Sequence, residues 1–181
     1  MANAVFYLME PTSIAYTGTS ATISANGSVE FSACSVLSLN GVFSADYDNY
    51  TVVMRASASA PTNLYFRLRA SGNDNSTASS YTAQGLEASG TTVGGGRGAS
   101  DTAVISGLYP TQRDGVIVQI YGPFLSQPTA ARTINALGYL NAYMYEVALT
   151  HNQSSSYDGF SLYVASGLTF TGRVAVYGMR K

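Results

Sequence analysis

The chemically most suggestive stretch is residues 43–55, FSADYDNYTVVMR, where Asp46 and Asp48 stand two positions apart among tyrosines and an asparagine. The two aspartates match the first and third ligand positions of a helix–loop–helix calcium loop. The pattern then fails, because the sixth position is Thr51 instead of glycine and the twelfth is Ser57 instead of glutamate. A calcium hand is therefore excluded, whereas an irregular calcium site, a pair of glycosidase carboxylates and a plain turn stay open.

Nucleophilic chemistry has few candidates, because the chain contains one cysteine, Cys34, and one histidine, His151. A catalytic dyad needs both side chains within hydrogen-bond reach. Cys34 lies in the apolar run FSACSVLSL, which predicts a small buried side chain. His151 opens the polar segment HNQSSSYDG, which predicts a solvated or capping histidine. Since zinc needs several such ligands, we predict no catalytic residue, no metal site and no cofactor.

Two connections stand out by composition. Residues 89–100, SGTTVGGGRGAS, have the glycines of a phosphate-binding loop but lack its lysine and the helix that must follow. We predict a mobile glycine-rich loop there. Residues 71–80, SGNDNSTASS, are predicted to form a polar connection.

The overall charge excludes several classes of protein. Charged residues make up 10% of the chain, against about 25% in an ordinary domain, and the net charge is -1. No stretch clusters enough Lys or Arg to neutralise several phosphates, so nucleic acid is not an expected partner. A lone cysteine excludes a disulfide-stapled scaffold, and we identify neither a signal peptide nor an apolar run long enough to span a membrane. The 14 tyrosines favour a contact surface, for protein or for sugar.

Apolar residues repeat at every second position through most of the chain, which is typical of strands with one buried and one solvated face. The clearest examples are Tyr50, Val52 and Met54; Leu64, Phe66 and Leu68; Val116, Val118 and Ile120; Phe160, Leu162 and Val164; and Val174 and Val176. The one helix candidate, residues 132–149, has the same period in its second half, which predicts a strand there.

Short strands between turn-forming residues predict an all-β fold, an antiparallel β-sandwich of the jelly-roll kind. We expect residues 1–27 to form an extended N-terminal arm or edge strand and residues 28–181 to form a single sandwich domain. The acidic stretch is then best interpreted as a turn whose Asp and Asn side chains bond nearby backbone, with Tyr50 starting the inward face.

Three segments, 28–55, 65–81 and 156–181, resemble virion proteins of tailed phages, such as those of cyanobacteria. They are SVEFSACSVLSLNGVFSADYDNYTVVMR, YFRLRASGNDNSTASSY and SYDGFSLYVASGLTFTGRVAVYGMRK. The shared order is a YDNY entry into a strand, an RLRASG hairpin and a closing strand that ends in VYG. The resemblance implies a structural or attachment protein at the particle surface, assembled in the host cytoplasm.

Two functions follow as expectations. The first is a non-enzymatic capsid decoration or knob-like protein that binds the shell, or another virion protein, and associates with itself, with a trimer favoured by the resemblance. The alternative is a tail-fibre tip or tail adaptor that recognises a host-surface glycan or receptor. In that case Tyr65, Tyr121 and Tyr163 would stack on sugar rings, and Arg67 and Arg69 would bond hydroxyls.

Overall fold

A computed structural model describes residues 6–110, 113–138 and 143–180, and within these ranges every regular element is a strand. The strands are β1 (Phe6–Met9), β2 (Ser13–Ile23), β3 (Val29–Asn40), β4 (Tyr47–Ala58), β5 (Thr62–Ala70), β6 (Asn73–Asp74), β7 (Tyr81–Ser89), β8 (Thr92–Ser100), β9 (Ala103–Leu108), β10 (Asp114–Tyr121), β11 (Thr129–Leu137), β12 (Tyr143–His151), β13 (Gly159–Tyr163) and β14 (Phe170–Arg180). In the described part of the chain, no helix is long and apolar enough to cross a membrane.

The strands form one antiparallel sheet that folds over on itself into two layers. Its order is β6-β5-β13-β3-β14-β4-β10-β11-β12-β7-β8, with β2 on β3, β1 on β14 and β9 on β5. β9 also approaches β10, β11, β12 and β7 from across the core. β13 and β14 lie between strands from the first half of the chain, as long-range jelly-roll connections require. The predicted antiparallel β-sandwich of jelly-roll type is therefore confirmed.

One strand, β3, belongs to both layers. Its first half pairs with β14 and its second half pairs with β13. The change of partner occurs at a bulge, where Ala33 has a φ of 45° and donates its N–H to Thr171 Oγ1 at 2.9 Å. On the neighbouring β2, a Cβ at Gly18 would lie 2.4 Å from the Ala33 carbonyl oxygen. Only glycine fits there, because the bulge brings the two backbones into direct contact.

The predicted alternation of buried side chains is confirmed in β4, β10 and β14 and in β5 as far as Leu68, whereas β13 is buried on both faces, since Ser161 is 0% exposed. The inward residues of these strands form one continuous core. The most fully buried of the predicted residues, each at 1% exposure or less, are Tyr50, Leu64, Phe66, Leu68, Val116, Ile120, Phe160, Leu162, Val174 and Val176. The second half of the helix candidate is a strand as predicted, since β12 starts at Tyr143; residues 139–142 lie outside the described part.

The N-terminal segment is integrated into the sheet. β2 pairs with β3 along nearly its whole length, from Ser13 opposite Asn40 to Ile23 opposite Val29, and β1 pairs with β14. Of the two possibilities expected for this segment, the edge strand is the one observed. The β2 backbone groups that face β3 are therefore used within the chain.

The prediction of a mobile loop at residues 89–100 is wrong. Residues 92–100 form β8, which pairs with β7 in register from Tyr81 opposite Ser100 to Ser89 opposite Thr92. The glycines misled the prediction because glycine has weak strand propensity, but a regular hairpin partner supplies the hydrogen bonds that hold the backbone extended.

The side chain of Tyr50 holds the turn that contains the acidic stretch. This residue is 1% exposed, and its ring packs on Phe43 with the ring centroids 4.7 Å apart. Its hydroxyl accepts the Ser44 N–H at 2.7 Å and donates to the Ser44 carbonyl at 3.0 Å. The turn before β4 is thus held by one side chain that combines an apolar body with a polar tip.

We expect Tyr50→Ala to lower the free energy of unfolding by roughly 3–5 kcal/mol, since it removes a fully buried ring. Tyr50→Phe keeps the ring and should cost only about 1–2 kcal/mol, the value of the lost hydroxyl bonds. Chemical denaturation followed by circular dichroism measures both. An alanine variant as stable as the wild type would contradict the structural role of this corner.

Candidate functional site

Three of the five residues predicted to contact a glycan come together on the outer face of β5 and β13. Tyr65 and Tyr163 stack with ring centroids 5.2 Å apart and planes at 19°. The Arg67 guanidinium lies 5.2 Å from the Tyr163 ring centroid and forms an ion pair with Asp101. Neighbouring side chains therefore cover part of the Tyr163 ring. The three residues form a ladder of side chains across the two strands, not an open surface on which a sugar ring could stack.

Arg69 is not on the surface. It is 7% exposed, with its guanidinium 3.0 Å from Asp74 and donating to Ser161 Oγ at 2.7 Å. Ser161 also donates to Asp74 at 2.6 Å and bonds Ser38 at 2.7 Å. Burial of an arginine requires such partners; both terminal guanidinium nitrogens have them here, whereas Nε has none among the described residues. Its predicted role as a glycan contact is therefore corrected: this side chain anchors the 71–80 connection to the sheet.

Tyr121 stands apart from the other candidates. It lies at the end of β10, is 43% exposed, and donates from its hydroxyl to Gln119 Oε1 at 3.2 Å. It belongs to the layer opposite Tyr65 and Tyr163 in the strand order. The exposed residues predicted to contact a glycan are therefore distributed over two layers of the fold.

The acidic stretch gathers no further ligands. Asp46 is exposed, and within the described ranges no three His, Cys, Asp or Glu side chains come close enough to hold a metal ion. The two aspartates lie at the turn that Tyr50 closes.

His151 is buried, so the prediction of a solvated or capping histidine is wrong. It is 0% exposed, its ring centroid is 4.2 Å from that of Tyr81, and its Nε2 lies 2.6 Å from Tyr157 Oη. Burial lowers its pKa to about 4. Cys34 is buried as predicted, and burial raises the pKa of its thiol; its Sγ contacts the Ser20 carbonyl at 3.4 Å. The two residues share no contact.

A cavity of about 420 Å³ lies under the β7–β8 hairpin. Tyr143 and Tyr145 line it, and Tyr143 donates its hydroxyl to Glu87. Burial raises the pKa of Tyr143, and the hydrogen bond to Glu87 adds to this effect. A Cβ at Gly96 would meet no atom within 4 Å, so this glycine leaves the cavity open. Aromatic rings beside a carboxylate can hold a small polar ligand such as a sugar.

The outer face of the other layer carries an exposed apolar stripe, which we call the apolar face. It consists of Val53, Ile117, Ile134, Met144 and Leu86, each 39–48% exposed. Val53, Ile117 and Ile134 are direct cross-strand neighbours on β4, β10 and β11. Within the stripe, Glu146 lies between Ile134 and Leu86 and forms an ion pair with Arg132. Sequence reasoning missed this face because each residue looks like an ordinary outward position until the register aligns them.

No protein-family model matches the sequence, and no curated protein matches it. Among solved structures, lectin II from Ulex europaeus is similar at a TM-score of 0.35 and 9% sequence identity, over 94% of this chain and 99% of the lectin chain. The fold assignment rests on the strand pairing described above.

The buried His151 makes stability depend on pH. Its pKa is about 4 in the folded chain and 6.5 as an ordinary histidine, so the unfolded chain binds the extra proton first as the pH falls. We expect stability to be full above pH 6.5 and to fall by roughly 3 kcal/mol on acidification to pH 4.

Denaturant melts across this range, compared with His151→Gln, measure the effect. Comparing the two proteins removes the contribution of Asp114 from the pH dependence. Burial raises the pKa of Asp114, so this residue increases stability as the pH falls, opposite to His151. A glutamine variant with the same pH slope as the wild type would contradict the assignment.

Proposed function

We propose that the chain is a non-enzymatic structural protein of a phage particle surface, a capsid decoration or knob-like module that works as a homo-oligomer. Its resemblance to tailed-phage virion proteins supports the location. The apolar face supports the mode of action, since a contiguous exposed apolar surface marks a protein contact site.

The dimensions of the apolar face fit the centre of a stable interface. From Leu86 on β7 to Val53 on β4 it crosses five neighbouring strands and two rows of side chains. At ordinary strand spacing this is about 19 Å by 13 Å, or roughly 250 Å². A standard interface buries about 800 Å² per partner, with an apolar centre inside a polar rim.

The occupant that we assign to this face is a second copy of the chain. Within the face the charged side chains are Arg132 and Glu146, which form an ion pair and so contribute no net charge, while Arg55 and Arg113 lie at its edge. A surface with a net charge would repel its own copy, whereas a neutral apolar surface is compatible with itself. The overall net charge of -1 opposes association only weakly.

We expect Ile117→Asp to convert the oligomer into monomers, because it places a carboxylate at the centre of the apolar face. Tyr16→Asp is the matched control, since Tyr16 is exposed to a similar degree, 45%, on β2 outside the face. Sedimentation velocity measures the mass, and circular dichroism checks that both variants fold. A wild-type chain that stays monomeric, or an Ile117→Asp variant of unchanged mass, would overturn this interface.

Location on the particle is tested by adding labelled chain to undecorated capsids and imaging them by cryo-electron microscopy. Density on the shell supports decoration, whereas density on the tail supports attachment, and binding to neither refutes the virion role. Deletion of the N-terminal segment does not test the role, because losing β2 exposes the edge of β3 and destabilises the fold.

A second candidate function, recognition of a host-surface glycan, is favoured by the cavity under the β7–β8 hairpin. Tyr143, Tyr145 and Glu87 supply ring surface and a hydrogen-bonding carboxylate there. By contrast, the Tyr65 and Tyr163 rings cover part of each other's surface.

For this candidate we expect Gly96→Leu to abolish glycan binding on an array, because its side chain enters the cavity without meeting packed atoms. Gln84→Leu, on the opposite face of the hairpin, should bind as the wild type does. If no glycan binds the wild-type chain, or if Gly96→Leu binds as well as the wild type, this function is rejected.

A further inference from the structure

Three of the nine basic residues of this charge-poor chain meet at one end of the outer sheet face. They are Arg55, Arg113 and Arg173, and all three line one groove. Their positions in the sequence are far apart, so only the fold brings them together. We call this the cationic groove.

The arrangement opposes stability. Arg55 on β4 and Arg173 on β14 are direct cross-strand partners, and Arg113 precedes Asp114, which pairs with Ala56 next to Arg55. Like charges directly opposite each other in a sheet are destabilising. In a chain with so few charged residues, these arginines could occupy separate positions. We therefore expect a bound ligand to compensate for the repulsion between them.

The chain itself supplies little compensation. Arg173 donates to Ser28 Oγ at 2.8 Å, and its closest carboxylate is Glu30 at 4.0 Å, with both side chains about half exposed. The side chains of Arg55 and Arg113 form no hydrogen bond or ion pair with any residue that the structure describes. By contrast Arg67, Arg69 and Arg132 each have a carboxylate partner.

The rest of the groove provides hydroxyl groups and one carboxylate. Ser20, Thr22, Ser32 and Thr171 line it beside the arginines, and so does Glu30, which leaves two positive charges in excess. Arginine and hydroxyl donors together are the groups that recognise phosphate and sulfate oxygens. The groove has a volume of about 610 Å³, which exceeds a single tetrahedral anion and accommodates one sugar unit that carries such an anion.

We propose that the cationic groove binds a phosphate or sulfate ester, with a phosphorylated or sulfated saccharide as the ligand class. The inference does not rest on the oligomer or on the cavity under the hairpin. A nucleic acid is disfavoured because three arginines on a chain of net charge -1 cannot follow a phosphate backbone.

The test is calorimetric titration of the intact chain with glucose 6-phosphate, glucose 6-sulfate and glucose at constant ionic strength. We expect saturable binding of one or both esters at one site per chain, and none of glucose. Arg55→Gln and Arg173→Gln should each weaken the binding at least about tenfold, as the loss of a charge-assisted contact does. Arg97→Gln, an exposed arginine on β8, should leave it unchanged.

A second readout separates a binding site from a structural one. Without ligand, Arg55→Gln should raise the melting temperature, because it relieves the repulsion from Arg173. A lowered melting temperature would mean that Arg55 stabilises the fold, and the proposal would fail. Equal binding by the Arg97→Gln and Arg55→Gln variants would overturn it. Tighter binding of single-stranded DNA than of the two sugar esters would also overturn the proposal, because it would indicate a general polyanion surface.

Discussion

The change of partner within β3 is the constraint on which the two-layer fold depends. β3 leaves β14 and joins β13 across the bulge at Ala33, and so it connects both layers without a loop. Gly18 and Thr171 hold that bulge from the two sides. Because β14 continues into the layer of β4 and β10, the bulge fixes where the cationic groove and the apolar face lie relative to the core.

A second set of contacts ties the 71–80 connection to the core. Arg69, Asp74 and Ser161 bond one another on the outer side of β5 and β13, and Tyr81 accepts the Leu68 N–H at 2.9 Å while donating to Asn75 at 3.0 Å. Most of these buried polar groups have partners, which is the condition under which burial is tolerated, although Arg69 Nε has none among the described residues. The network ties the connection to β5 and β13.

The sequence predicted the strands well because a period of two follows directly from one-sided burial, as in Tyr50, Val52 and Met54. It failed where pairing with a distant partner decided the outcome. β8 is a strand because β7 supplies its hydrogen bonds, and His151 is buried because Tyr81 and Tyr157 enclose it. The apolar face and the cationic groove depend on register between strands, which no local pattern encodes.

The arginines of this chain differ in how well the fold neutralises them. Charged residues make up only 10% of the sequence, so two contrasting sets of arginines are easily compared. Arg67, Arg69 and Arg132 are neutralised by carboxylates within the fold. Arg55 and Arg173 are direct partners on β4 and β14 in the cationic groove, and Arg55 also borders the apolar face. Glu30 lies 4.0 Å from Arg173, whereas Arg55 has no ion-pair partner among the described residues, and an anion bound in the groove, as proposed above, would supply one.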